Sequence, residues 1–268
     1  MTRTDGLYDL DLARAAALAR PQAPKVSVVI PTLNEARNLP HVLPRVPHDV
    51  HEIIIVDGLS TDDTVAVARR CRPDVHIVLH PHRGKGSALR AGFAAATGEI
   101  IVMLDADGST DPGEIPAFVG LLLSGADIAV GSRFVQGGGT ADMERHRKLG
   151  NWALTRLVRS LFGGKYSDLC YGYTAFWRDQ LAMLDVDCTG FEVETAIHVR
   201  AIDAGLRVAE VPSFEAPRLH GSSNLNAVRD GFRILGWIGR EWYHTRWELR
   251  IRRGDRSARV LDLRKRSS

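Results

Sequence analysis

Short apolar runs rich in Val and Ile alternate along the first half of the chain with stretches whose apolar residues recur every three or four positions. Val26–Ile30, Glu52–Val56, Val75–Leu79, Ile100–Leu104 and Ile128–Val130 read as strands. Residues 36–46, 62–72 and 87–96 read as helices, the first made irregular by Pro40 and Pro44 and the second capped by Ser60 or Thr61. A fourth helix is capped by Thr110 or Asp111, carries Pro112 in its first turn and runs to about Leu123. This alternation predicts an α/β fold with a mostly parallel central sheet and helices on both faces. The runs are short and nearly continuous in apolar residues, which fits strands buried on both sides. Residues 9–20 read as a short helix closed by Pro21 and Pro24. Beyond Gly131 the pattern changes. Gly137–Gly139 opens a loop expected to move, followed by a basic helix over about 144–162 and an aromatic segment, Tyr171–Trp177. A helix over 193–204 and a strand at Arg207–Val211 complete the pattern.

In a parallel sheet every strand ends on the same edge, and ligands bind in the crevice outside those carboxyl ends. The residues that follow the strands carry opposite charges toward one rim. They are Pro31-Thr-Leu-Asn-Glu35, Asp57, His82-Arg-Gly-Lys85, Asp105-Ala-Asp107 and Gly131-Ser-Arg133. Asp105 and Asp107 stand two apart at a strand end, so both carboxylates can point one way. Paired carboxylate oxygens suit a hard divalent cation that keeps several waters and also binds phosphate oxygens. Two other D-x-D triplets, Asp9/Asp11 and Asp185/Asp187, follow no apolar strand. Neither a P-loop nor G-x-G-x-x-G follows strand one, which argues against a dinucleotide cofactor.

VSVVIPTLNE, VDGLSTDDT, RGKGSALRAG, MLDADGSTDP and GSRF, in that order, resemble the family 2 glycosyltransferases of the Rossmann-like GT-A fold. The likeness is greatest to the polyprenyl- and dolichyl-phosphate sugar transferases. The resemblance implies that Pro31, Leu33, Glu35, Asp57, Lys85 and Asp105 line the nucleotide-sugar pocket. It implies that Asp105 and Asp107 hold Mg²⁺ or Mn²⁺ against the diphosphate and that Arg133 faces the diphosphate. Asp168 would then stand beside the reacting sugar, and Arg147, Arg218 and Ser223 would receive the acceptor. The implied reaction is inverting transfer of a hexose from a UDP-glucose or GDP-mannose type donor to a polyprenyl phosphate. A soluble or cell-wall hydroxyl acceptor is the alternative. A sugar-phosphate nucleotidyltransferase shares the layout but needs a glycine-rich basic loop after strand one. Asp168 also has a plain reading, as the partner of a nearby arginine. Glu192 and Glu194 are further candidate bases, with one of them equally able to lie on a surface. The implied organisation is an N-terminal helix and linker (1–24), a catalytic domain (25–224) and a C-terminal amphipathic helix with a basic tail (225–268).

Composition changes this picture in two places. Residues 246–268 carry nine Lys/Arg against three Asp/Glu, so with +3 for the whole chain everything before them is net negative. A nucleic-acid-binding body is therefore not expected. Leu225, Val228, Phe232, Leu235, Ile238 and Trp242 recur at helical spacing with Arg229, Arg233 and Arg240 on another face. That helix either lies on an anionic lipid surface together with the tail or docks on the core. The three cysteines are widely spaced, no run approaches the ~20 apolar residues of a membrane span, and the N-terminus lacks a secretory pattern. The expectation is a cytoplasmic protein, peripheral on the inner face of the membrane at most.

Overall fold

Period-two alternation along the central strands builds two cores, one on each face of a single sheet. Val29, Ile54, Val56, Ile101 and Met103 belong to one. Val28, Ile30, Ile53, Ile55, Ile100 and Val102 belong to the other. The computed structural model describes residues 20–21, 23–82, 84–141, 143–222 and 228–246. The expected helix at 9–20, Ser223 and the basic tail beyond Arg246 lie outside them.

The strands are β1 (Val26–Thr32), β2 (Glu52–Asp57), β3 (His76–Leu79), β4 (Ile100–Met103) and β5 (Ile128–Ser132), then β6 (Gly139–Thr140), β7 (Thr174–Trp177), β8 (Val208–Pro212) and β9 (Phe214–Glu215). The main sheet runs β3-β2-β1-β4-β7-β5-β8. β1 pairs parallel with both β2 and β4, and β2 with β3. β5 and β8 are also parallel. The sequence pattern did not distinguish β7, which lies antiparallel between β4 and β5. Its aromatics are core: Phe176 meets Phe93 edge-on at 5.3 Å, and Tyr173 stacks on Phe118 at 4.2 Å. Gly139, the last of the glycine run, begins β6, which pairs with β9 in a small second sheet.

Helices α1 (Leu39–Val42), α2 (Thr64–Cys71) and α4 (Ile115–Leu123) cover one face. Helices α3 (Lys85–Ala95), α5 (Arg145–Phe162) and α7 (Val193–Asp203) cover the other, with the short α6 (Leu181–Leu184) beside them. Neither Ser60 nor Thr61 caps α2; Asp62 accepts the Thr64 N–H at 3.0 Å instead. Residues 228–246 are helical. Ile234, Trp237 and Ile238 of this helix, α8, are buried in the same core as α7. No helix among the described residues is long and apolar enough to cross a membrane.

Candidate active site

Because β2, β1 and β4 run parallel, the segments after Asp57, Thr32 and Met103 leave the sheet at one edge. The loops after β1 and β2 are locked together there. Asn34 donates its backbone N–H to Ser60 Oγ at 2.8 Å, and its Oδ1 accepts the Thr61 N–H at 2.8 Å. Asn34 and Leu59 both have positive φ, 58° and 59°. For Leu59 that region is costly, which marks a turn held by its surroundings. Asp57, at the tip of β2, is buried and accepts from Ser60 N at 2.9 Å, Ser60 Oγ at 2.6 Å and Thr32 Oγ1 at 3.3 Å. Pro31 lies within β1, opposite Val56. Leu33 is exposed on the rim, with Leu59 exposed nearby.

Next along the edge, two carboxylates each face a cation. Lys85, at the start of α3, places its Nζ 2.6 Å from Asp105 and 2.7 Å from Glu194. Burial opposes its charge, but the two carboxylates outweigh that cost and hold its pKa well above the ordinary lysine value. Gly172 makes this pair possible. A Cβ there would lie 2.6 Å from Lys85 Nζ and 2.9 Å from Asp105 Oδ2. Asp107 turns one oxygen to Ser109, accepting its N–H at 2.9 Å and its hydroxyl at 2.6 Å. The other oxygen lies 3.2 Å from Arg218. Arg218 also reaches Glu35 at 3.0 Å, so one guanidinium joins the loop after β1 to the loop after β4. Glu35 in turn accepts from the Asn38 side chain.

The donor set fits a hard cation on these observations. Asp105 and Asp107 offer oxygen ligands at a point already occupied by positive charge. No cluster of three His, Cys, Asp or Glu suited to a metal occurs among the described residues. A cation held by Asp105 and Asp107 would therefore need its remaining ligands from water and phosphate, as Mg²⁺ and Mn²⁺ prefer.

Asp168 and Arg133 form a closed unit. Asp168 is 0% exposed and Arg133 4%. Arg133 Nε and Nη2 donate to the two Asp168 oxygens at 2.6 and 2.8 Å, and its Nη1 meets Glu215 at 3.0 Å. Asn151 of α5 donates to Asp168 at 3.0 Å and accepts the backbone N–H groups of Leu169 and Cys170. The Arg133 guanidinium also stacks over Tyr171, 4.8 Å from the ring centre. Burial pushes the neighbouring Cys170 thiol up to about 12, so it does not supply a thiolate nucleophile. Neither Glu192 nor Glu194 lies on a surface: Glu192 is paired with Arg233 of α8 at 3.0 Å. Arg147, on the half-buried flank of α5, lies within electrostatic reach of Cys170. It has no carboxylate within ion-pair distance among the described residues.

A family model described as glycosyl transferase family 2 matches residues 27–184. The chain is a family 2 glycosyltransferase. The glycosyltransferase is 34% identical over 236 residues to the polyprenol monophosphomannose synthase of Mycolicibacterium smegmatis, covering 78% of its own length and 85% of that protein. It is 32% identical over 245 residues to the undecaprenyl-phosphate mannosyltransferase of Micrococcus luteus, covering 86% and 99%. Among solved structures, it resembles glucosyl-3-phosphoglycerate synthase from Mycobacterium tuberculosis in complex with Mn²⁺, UDP and glucosyl-3-phosphoglycerate. The TM-score is 0.61 at 26% identity, over 87% of this chain and 81% of that one. The same synthase with phosphoglyceric acid gives 0.66 at 25% identity, over 84% and 81%. The glycosyltransferase has the GT-A fold.

Two polar residues beside the candidate site, Asn151 and Glu215, were not singled out from sequence, and Ser60 was read only as a helix cap. Asn151 carried a usable signal, a lone amide on the apolar side of a helix, since a buried amide needs partners. The others act through pairings that local sequence does not reveal.

Proposed function

We propose that the glycosyltransferase moves a hexose, with inversion, from a nucleotide-diphosphate sugar to a polyprenyl phosphate. The observation that carries this reading is the state of the carboxylates. A hydroxyl acceptor must lose a proton during attack and calls for a positioned Asp or Glu. Asp168 is sealed by Arg133 and Asn151, Glu192 by Arg233, and Glu194 by Lys85. A phosphate monoester has a second pKa near ~6 and arrives already anionic, so it needs no base.

On this reading the sheet edge divides the work. Asp57, Glu35, Pro31 and Leu33 bind the nucleoside, and Lys85 orients the donor beside Asp105. Asp105 and Asp107 would hold Mg²⁺ or Mn²⁺, which supplies charge stabilisation to the departing diphosphate when bound. Asp168 and Arg133 act as positioning residues that fix the wall next to the reacting sugar. Arg147 and Arg218 draw the acceptor phosphate, and Ser223 joins them. The similarity to a polyprenol monophosphomannose synthase and an undecaprenyl-phosphate mannosyltransferase supports a lipid-phosphate acceptor and mannose as the hexose. The synthase crystallised with Mn²⁺ and UDP supports a divalent metal.

The outer face of α5 supports a lipid-borne acceptor. The helix carries Arg145, Arg147, Lys148, Arg156 and Arg159 with no acidic residue. Leu149 is 65% exposed and Trp152 59%. An exposed Leu and Trp within a cationic rim suit the headgroup region of an anionic bilayer. Together with α8 and the basic tail, this face would make the enzyme peripheral on the cytoplasmic leaflet.

The test is a panel of UDP- and GDP-sugars with Mg²⁺ or Mn²⁺, offered with a short-chain polyprenyl phosphate or with phosphoglycerate, and product identification by mass spectrometry. The proposal expects a glycosylated polyprenyl phosphate. Transfer to phosphoglycerate alone would replace it with the hydroxyl-acceptor reading, which the structural similarity to the synthase favours. Trp152→Glu should weaken flotation with anionic vesicles while turnover of the short-chain acceptor persists.

A further inference from the structure

Lys85 sits between two glycines that have no room to be anything else. A Cβ on Gly84, which has φ +112°, would lie 2.0 Å from the Thr189 carbonyl oxygen. One on Gly86 would lie 2.6 Å from that of Cys188. The backbone of the 84–87 segment is thus pressed against residues 188–190. It is hydrogen-bonded there as well: Gly86 N–H donates to Gly190 O and Ser87 N–H to Thr189 O, both at 3.2 Å. These are first-turn amides of α3, which have no partner within their own helix. The 188–190 turn therefore supplies the partners and sets where Lys85 begins.

That turn is itself held from one side. Glu192 Oε1 accepts the N–H groups of Thr189 and Gly190 at 3.3 and 3.1 Å. Its other oxygen lies 3.0 Å from Arg233 Nε. Arg233 Nη2 donates to Thr189 Oγ1 at 2.7 Å. Beside this pair, between α8 and the turn, is a cavity of about 450 Å³ bounded also by Asp187, Trp237 and Arg240. The attachment of α8 does not depend on Arg233. Ile234, Trp237 and Ile238 are buried, and Glu241 pairs with Arg200 at 3.0 Å.

We infer that Arg233 and Glu192 are positioning residues for Lys85, and that through them α8 sets the strength of the donor site at Asp105. The chain of contacts runs from Arg233 to Glu192, to the 188–190 turn, to the start of α3, and so to the ammonium facing Asp105. This rests on the reading of Lys85 and Asp105 as part of the donor site. Outer-shell partners of this kind tune a metal–phosphate site by fixing the groups that touch it.

The test is calorimetric titration of the full chain with UDP, and separately GDP, in the presence and absence of Mn²⁺. Arg233→Gln should weaken Mn²⁺-dependent nucleotide binding about tenfold, and Arg233→Lys should recover part of the loss. Thr245→Val, which removes the hydrogen bond from the same helix to Asp203 and lies off this path, should leave nucleotide affinity unchanged. In a Lys85→Met background Arg233→Gln should add little, since the two act through one group. Wild-type affinity in Arg233→Gln, equal weakening in Thr245→Val, or full additivity with Lys85→Met would each overturn the inference while leaving the donor site intact. If the wild-type chain binds neither nucleotide with Mn²⁺, the donor-site reading itself fails and takes this inference with it.

Discussion

An ammonium 2.6 Å from Asp105 and a guanidinium 3.2 Å from Asp107 mean that the two carboxylates are charge-compensated by the protein itself. Small changes beside them should therefore act on ligand binding before they act on folding. Gly172→Ala intrudes on the Lys85–Asp105 contact alone. It should weaken Mn²⁺-dependent nucleotide binding in a titration while shifting the melting temperature little. Asp168 behaves in the opposite way. Removing one member of a fully buried pair strands the other, so Asp168→Ala should destabilise the chain by about 3–5 kcal/mol in urea denaturation. A loss of activity with unchanged stability would instead give Asp168 a direct part in the chemistry. His198 provides a pH test. Its Nδ1 lies 2.6 Å from the Glu194 carbonyl oxygen, which can only accept, so Nδ1 carries the hydrogen. Nε2 is buried without a partner, and burial lowers the pKa. The folded state keeps the ring neutral, while the unfolded chain takes up a proton once the pH falls below the ordinary value near ~6.5. Stability is thus complete above that value and declines as the pH falls toward the folded pKa. The melting temperature should drop more steeply between pH 7.5 and 5.5 in wild type than in His198→Asn.

At the scale of elements, β7 shows what local pattern conveys and what it does not. Tyr171–Trp177 is legible as an apolar aromatic run, but its direction and its neighbours depend on strands formed dozens of residues earlier. Its antiparallel insertion between β4 and β5 is a long-range fact. β1 to β4 were legible because each run is short, mostly apolar and followed by a helical period, and β5 because such a period precedes it. The rim after β1, β2 and β4 was legible for the same reason, since parallel strands bring their ends to one edge. The pairings across that rim were not. Arg218 meets Glu35 and Asp107 from far along the chain, and Arg133 meets both Asp168 and Glu215. Residue type announces a charge there without naming its partner. The α2 cap was misplaced because Ser60 and Thr61, both good capping residues, are taken up by Asp57 and Asn34. β7 also yields a stability prediction. Phe176 is fully buried against Phe93, so Phe176→Ala should cost about 3–5 kcal/mol in urea denaturation. A cost below 1 kcal/mol would mean that β7 is not part of the stable sheet.

Across the whole molecule, the parallel edge gathers the residues proposed for nucleoside and metal–diphosphate binding, and their opposite charges are paired with one another. The helices on one face then connect that edge to surfaces outside it: α5 carries Arg147 on its flank and Leu149 with Trp152 on its outer side, and α8 reaches the turn under Lys85. A phosphate acceptor held near the bilayer would meet the donor where these two routes converge. The account rests on the donor diphosphate and its metal lying at Asp105 and Asp107. Crystals grown with Mn²⁺ and a nucleoside diphosphate, measured by anomalous scattering at the manganese edge, test that directly. The account predicts one manganese peak in coordination distance of Asp105 or Asp107, completed by diphosphate oxygens. A bound diphosphate with Lys85 and Arg218 still seated on those carboxylates and manganese elsewhere, or absent, would contradict it.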